Sequence, residues 1–304
     1  MGLLDRAVDK LKAEQGEIPL APAARQGAAK GPAAKRSTDA ATAPQEPVAA
    51  EAGEWVHGGG ADLELAELAK RGFIVPGYPS DGVLLDEYRR IKRQILFKAA
   101  VDQTDAEHQL HSNLVMITSA IDGEGKTFVS TNLAFSISQE VDHTVLMIDA
   151  DVVRRGASRL LGLERHLGLI DYLEEEVDDI ASLFVQPKGV DNLRILPAGT
   201  PNKHVNELLA SERMRELMEE LAVQDRERVV LLDTPPLLMT SEAHVIAQLV
   251  GQVALVVRAD KTPQHHVENA LGYMEPDRFA GLILNGASRN LAQDGYADYY
   301  YGDD

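Results

Sequence analysis

The stretch Leu114-Val115-Met116-Ile117-Thr118-Ser119-Ala120-Ile121-Asp122-Gly123-Glu124-Gly125-Lys126-Thr127 decides the fold. An apolar, β-branched run passes into a glycine-rich turn that ends in Lys-Thr, and a helical pattern over residues 128–139 follows directly. That order is the strand, phosphate loop and helix of a P-loop. Gly123 and Gly125 let main-chain N–H groups turn inward on a nucleotide's phosphates. Lys126 brings positive charge to the β and γ oxygens, and the Thr127 hydroxyl can hold Mg²⁺. The cofactors expected from the motif are a nucleotide and Mg²⁺. Glu124 and Phe128 complete the candidate nucleotide-binding set of the loop, and Ala120 stands where the first glycine of the motif is usual.

Apolar runs recur on both sides of this loop, at 114–120, 144–149, 193–197, 229–232, 253–257 and 281–284, separated by helical stretches. Near-continuous apolar strands alternating with helices describe a mostly parallel sheet covered on both faces, an α/β doubly wound fold. In such folds ligands gather at the carboxyl ends of the strands. There the sequence puts Asp149-Ala150-Asp151 after the second run and Asp233-Thr234-Pro235-Pro236 after a later one. A single Asp at a strand exit is as readily a capping residue. Three carboxylates beside one P-loop repel each other unless a cation bridges them to phosphate, so Thr127, Asp149 and Asp233 are the candidate metal ligands. Lys126, Asp149 and Asp151 are the candidate catalytic residues.

The 304 residues carry a formal charge of −18. Residues 1–71 hold 11 acids and 9 bases, so almost all of the excess lies in the remainder. This balance disfavours wrapping of a nucleic-acid backbone, and no nucleic-acid partner is expected. There is no cysteine, which excludes a disulfide framework, a thiolate zinc site and a cysteine nucleophile. The nine histidines show no zinc-ligand spacing. No apolar run approaches the ~20 residues that span a bilayer, and the N-terminus does not read as a secretory signal, so a cytoplasmic protein is expected.

Four segments are expected. Leu3, Leu4, Val8 and Leu11 suggest a short amphipathic helix within residues 1–17. Residues 18–80 are read as a disordered linker, because 18–50 contain 12 Ala and 5 Pro and no aromatic residue. The folded domain is placed at 81–287 and opens with a helix on which Leu84, Tyr88, Ile91 and Ile95 keep the helical period. Residues 288–304 form a flexible tail with four of the chain's eight tyrosines, Tyr296, Tyr299, Tyr300 and Tyr301, in its last nine positions. Asn285, which ends the last apolar run, is either an adenine contact or a turn residue. The acidic run at 174–179 reads as a solvated helix end.

From residue 86 to the C-terminus the sequence resembles the bacterial tyrosine kinases of capsule and exopolysaccharide biosynthesis. The wording at 145–169 and 251–267 is most similar to the exosortase-associated tyrosine autokinases. That family accepts Ala at the position of Ala120. Its Asp-x-Asp motif is matched by Asp149 and Asp151, and its third motif by Asp233 with Pro236. Two positions depart from the pattern: the usual Arg is Val153, with Arg154 next to it as the candidate substitute, and an Asp common before the fifth strand is Gly251. The resemblance implies a protein-tyrosine autokinase that phosphorylates the tail tyrosines in trans. It also implies a ring-like homo-oligomer built on a Glu-x-x-Arg-x-x-Arg helix, matched at Glu87, Arg90 and Arg93, although alone that spacing describes a solvated face.

The partners it implies are a membrane-embedded polysaccharide co-polymerase that activates the kinase as a separate chain, placing it at the inner face of the membrane, and a phosphatase. Four phosphotyrosines would add roughly −6 to −8 charges to the tail, enough to expel it and loosen subunit contacts. A nucleotide-gated scaffold without catalysis is one alternative. A ParA/MinD-type ATPase is another, disfavoured because Ile121 stands where such loops carry a signature Lys.

Overall fold

The computed structural model describes residues 55–101, 111–225 and 227–287. The expected amphipathic helix, most of the linker and the tyrosine tail lie outside these residues.

Eight strands form one sheet in the order β1-β4-β5-β3-β6-β2-β7-β8. Their bounds are β1 Gly59–Ala61, β2 Leu114–Ser119, β3 Thr144–Asp149, β4 Val185–Pro187, β5 Leu193–Leu196, β6 Arg228–Asp233, β7 Gln252–Arg258 and β8 Phe279–Asn285. The six strands from β5 to β8 run parallel, and only the β4–β5 pair is antiparallel. All six apolar runs of the sequence are strands of this parallel block. The short β1 and β4 carry no comparable run and were not expected.

Parallel strands need crossovers, and the helices supply them. In chain order these are α1 Leu65–Lys70, α2 Gly82–Val101, α3 Lys126–Ile137, α4 Gly156–Leu160, α5 Leu169–Leu173, α6 Val205–Leu209, α7 Glu212–Gln224, α8 Ser241–Leu249 and α9 Gln264–Leu271. Alternation along each strand divides the interior in two. Leu114, Met116, Leu146, Ile148, Leu232 and Leu255 face the layer of α5 to α8. Val115, Ile117, Val145, Met147, Leu231 and Val256 face α1 to α4. The P-loop helix α3 shows no amphipathic stripe, because it lies between the sheet and α2; Val129, Leu133, Phe135 and Ile137 are all buried. Burying a large apolar side chain is worth about 1.5–3 kcal/mol, so α3 is among the most firmly held elements.

The boundary expected at residue 81 is corrected. Leu63, Leu68, Phe73, Ile74 and Val75 are buried in the layer that covers α3. Ile74 donates its N–H to Asn132 Oδ1 at 2.7 Å, and the Phe73 and Phe128 rings meet at 4.9 Å. The described body therefore begins at residue 55. Its first 26 residues carry apolar side chains in no sustained period, and their order comes from contacts with α3 rather than from local propensity.

Gly251, a departure from the family pattern, has a steric reason. Its N–H donates to His111 O at 3.0 Å, and a Cβ there would stand 2.3 Å from that same oxygen. No side chain fits. Among the described residues no helix is long and apolar enough to cross a membrane.

Candidate active site

The strand order brings the candidate residues together. β6 lies between β2 and β3, so the carboxyl ends of these three strands are adjacent and Asp149 is the register partner of Asp233. Ala150 N donates to Asp233 O at 2.8 Å, and Thr234 N to Ile117 O at 3.1 Å, fixing the two strand exits against the one that opens the P-loop.

Within that loop Gly123 and Gly125 have φ of +77° and +94°, a left-handed conformation that glycine adopts without strain. Gly125 also has no room for a side chain, since a Cβ would lie 2.0 Å from Asn285 Nδ2. α3 starts at Lys126, so its unpaired N–H groups and positive dipole end face the loop. Lys126 itself is 7% exposed.

Asp149 and Asp233 are fully buried and Asp151 nearly so. Asp149 Oδ2 accepts from Ser158 N and Ser158 Oγ, both at 2.7 Å, and Ser158 Oγ accepts from Ala198 N at 3.0 Å. Thr127 Oγ1 donates to Asp233 Oδ2 at 2.7 Å. The other oxygens, Asp149 Oδ1 and Asp233 Oδ1, are buried without a hydrogen-bond partner. Desolvation pushes the Asp149 carboxyl up to about 6, only partly offset by Ser158. Desolvation with the nearby Asp149 charge pushes Asp233 up to about 7, against the lowering effect of Thr127 and Lys126. Burial also raises Asp151, with Lys126 acting in the opposite direction. Two orphaned carboxylate oxygens and two strongly raised carboxyls mark a place where negative charge lacks its counter-ion.

These residues fit Mg²⁺ of the kind that takes one or two carboxylates and completes its shell with phosphate and water. Among the described residues no group of three or more His, Cys, Asp or Glu could hold a metal alone. The donor set thus suits a metal that arrives with a nucleotide.

Glu124 is 1% exposed and turns into the loop, where Oε2 accepts from Ile121 N at 2.9 Å and Oε1 from Thr262 Oγ1. Its side chain is therefore committed within the protein, and only its main chain can face a nucleotide. Asn285 Nδ2 donates to Glu124 O at 2.8 Å, which joins the end of β8 to the loop. A cavity of about 560 Å³ opens beside this contact, lined by Gly125, Phe128, Arg258 and Asn285 and, from α2, by Glu87 and Ile91. Phe128 reaches the cavity while packed on Phe73. A larger cavity of about 660 Å³ contains none of the candidate residues; it lies against β1, with His57, Arg71 and Arg159 on its walls.

Val153 is 62% exposed, whereas Arg154 forms an ion pair with Asp122 of the P-loop. The guanidinium thus reaches the loop from the residue next to the usual position. Glu87, Arg90 and Arg93 are all exposed on α2, whose opposite side buries Tyr88, Lys92 and Ile95. The four tail tyrosines lie outside the described residues. Ser158 and Thr262 were not foreseen: neither stands in a motif, and Thr262 is 138 residues from the carboxylate it holds.

No family model matches the chain. The kinase domain of Escherichia coli tyrosine kinase ETK superposes with a TM-score of 0.55 at 30% identity, covering 66% of this chain and 76% of that domain. The chain belongs to the bacterial tyrosine-protein kinase family. Tyrosine-protein kinase wzc of Salmonella typhi is 33% identical over 230 residues, 75% of this chain and 30% of that kinase. The putative tyrosine-protein kinase CapB of Staphylococcus aureus is 27% identical over 235 residues, 76% of this chain and 96% of CapB. The chain therefore spans less than a third of the Salmonella kinase and nearly the whole of CapB. Kinship with tyrosine kinases and the P-loop sheet agree with the expected fold and family.

Proposed function

We propose that this bacterial tyrosine kinase relative is an ATP- and Mg²⁺-dependent protein-tyrosine autokinase of exopolysaccharide synthesis or export, of the exosortase-associated type. It would act in trans on Tyr296, Tyr299, Tyr300 and Tyr301 of a neighbouring subunit. The observation that carries this is the meeting of a P-loop with three buried carboxylates, two of which keep an unpartnered oxygen. Main-chain amides at Gly123, Gly125 and the start of α3 would hold the phosphates, with Lys126 against the β and γ oxygens. Thr127, Asp149 and Asp233 would hold Mg²⁺, which when bound neutralises charge that builds up on the transferring phosphoryl group. The base would enter the 560 Å³ cavity beside Asn285.

In the transfer a tyrosine oxygen forms a bond to the γ-phosphorus, the bond from that phosphorus to the β–γ bridging oxygen breaks, and ADP leaves. The phenol, with an unperturbed pKa near 10, gives its proton to an aspartate as the new bond forms. Asp149 or Asp151 is that base. Ser158 fixes the direction of the open Asp149 oxygen. The tail tyrosines stand 11–16 residues beyond Asn285, a length of chain that extends at most roughly 35–55 Å, enough to reach an adjacent subunit. Glu87, Arg90 and Arg93 form the proposed subunit contact. Because Glu87 also lines the cavity, a neighbour docked on α2 would sit next to the nucleotide. A membrane-embedded co-polymerase and a phosphatase are the proposed partners, which would place the protein at the inner face of the membrane.

Incubation of the purified full chain with Mg-ATP, alone and with an activating co-polymerase segment, followed by mass spectrometry of the tail, tests the proposal. Phosphotyrosine at 296–301 that disappears in Lys126→Met is expected. Phosphate release with an unmodified tail in both conditions would instead make the chain an ATPase.

A further inference from the structure

Glu124 is the least expected residue of the P-loop. A buried carboxylate placed between the two glycines that turn toward a polyanion would repel the ligand and compete with it for main-chain N–H groups unless it is held out of the way. Both of its oxygens are held. Oε2 accepts from Ile121 N at 2.9 Å, bracing the start of the turn, and Oε1 accepts from the hydroxyl of Thr262. Thr262 Oγ1 in turn accepts from Arg258 N at 3.1 Å, and Thr262 N donates to Arg258 O at 3.1 Å. The hydroxyl thus uses its single proton on Glu124 while its own position is set by the end of β7. At the same residue Asn285 Nδ2 fastens Glu124 O to the end of β8 at 2.8 Å. The middle of the loop is therefore anchored to two strand ends that lie far from it in sequence.

We propose that Thr262 is a positioning residue of the nucleotide site: its hydroxyl keeps the Glu124 carboxylate folded inward and so fixes the turn that offers the P-loop amides to phosphate. This rests on the nucleotide-binding reading above. Without the hydroxyl, Oε1 is left with an unmet acceptor in a buried place, and the carboxylate relieves it by swinging toward the N–H groups that the phosphates need. Thr262 touches neither phosphate nor metal; it acts through Glu124.

The test is titration calorimetry of the full chain with the Mg²⁺ complex of a nonhydrolysable ATP analogue, using wild type, Thr262→Val, Thr262→Ala and Thr262→Ser. Loss of a hydrogen bond to a charged group predicts tenfold to hundredfold weaker binding for Val and Ala. Serine, which keeps the hydroxyl, should stay within about threefold of wild type. In a Glu124→Gln background, where the charge is gone, Thr262→Val should cost much less than it does alone, a coupling that general loss of packing would not produce. Thermal unfolding without nucleotide shows which variants are folded, and either Val or Ala suffices. Wild-type affinity in both of those variants, or a serine variant as weak as valine, overturns the proposal. A wild-type chain that binds no analogue overturns the nucleotide reading and this proposal with it, whereas normal wild-type binding with unaffected valine and alanine variants overturns this proposal alone.

Discussion

Asp233→Asn should make the nucleotide-free protein more stable while removing its capacity to bind Mg-nucleotide. The buried carboxyl rises from an ordinary value of 3.8 to about 7 because of desolvation and the charge of Asp149. A carboxyl raised on folding binds its proton more tightly in the native state, so its contribution to stability is whole below about pH 4. It is lost as pH rises through the folded value near 7. Three pKa units at about 1.4 kcal/mol each set an upper limit of ~4 kcal/mol for the penalty at pH 8. Asparagine carries no charge, keeps the shape, and still offers an oxygen to Thr127 Oγ1, so it escapes the penalty. Its advantage over wild type should be small at pH 4 and grow by ~2–4 kcal/mol by pH 8, about 4–16 °C in melting temperature for a body of this size. Denaturant unfolding at both pH values with chelator, and calorimetry with a Mg-nucleotide analogue, measure the two halves. An asparagine variant no more stable than wild type at pH 8, or with an advantage independent of pH, would show that Asp233 is not held against its charge, and the case for a cation between Asp149 and Asp233 would fail.

The parts of this molecule that were readable in advance are those where one short segment carries both the fold and the chemistry. The run from Leu114 to Thr127 specifies a buried parallel strand, a left-handed turn and a helix start through residue types that have few other uses, and the structure places each of them. Asp149 and Asp233 were readable for the same reason, as acids at the ends of apolar runs. Their neighbourhood was not, because it depends on β6 inserting between β2 and β3, an order that no local pattern encodes. Ser158 and Thr262 were unreadable for a sharper reason. A serine or threonine that completes a buried carboxylate looks like any other in sequence, and only the crossover geometry gives it a partner. The segment 55–80 failed in the opposite way. The linker reading of 18–50 extends up to the first clear helical period, at Leu84, yet Leu63, Leu68, Phe73, Ile74 and Val75 are among the residues that α3 needs to be covered.

Two further outcomes follow from the same geometry. Gly125→Ala puts a Cβ 2.0 Å from Asn285 Nδ2 on a backbone at φ +94°, so a loss of ~1–3 kcal/mol in stability and at least tenfold in nucleotide affinity is expected. An alanine variant that melts and binds as wild type does would refute the tight loop contact. Lys92→Met tests the link between the exposed-motif helix α2 and the P-loop helix α3. Lys92 is 7% exposed, and its ammonium donates to Ser136 O at 2.8 Å, near the end of α3 where carbonyls lack helical partners, and pairs with Glu140 at 2.5 Å. Methionine keeps the apolar stem but abandons the carbonyl and the carboxylate, a loss of ~1–2 kcal/mol at pH 7. The hydrogen bond from Lys92 holds the Glu140 carboxyl below its ordinary 4.5. Its share of the stability is thus present above that value and lost as pH falls through the lower folded one. The gap between wild type and Lys92→Met should therefore narrow on going from pH 7 to pH 3. The change is modest, because the Glu140 side chain is 39% exposed and water screens the pair. A gap that widens toward acid would mean that Glu140 does not depend on Lys92, and the polar contact between the two helices would reduce to the single bond at Ser136.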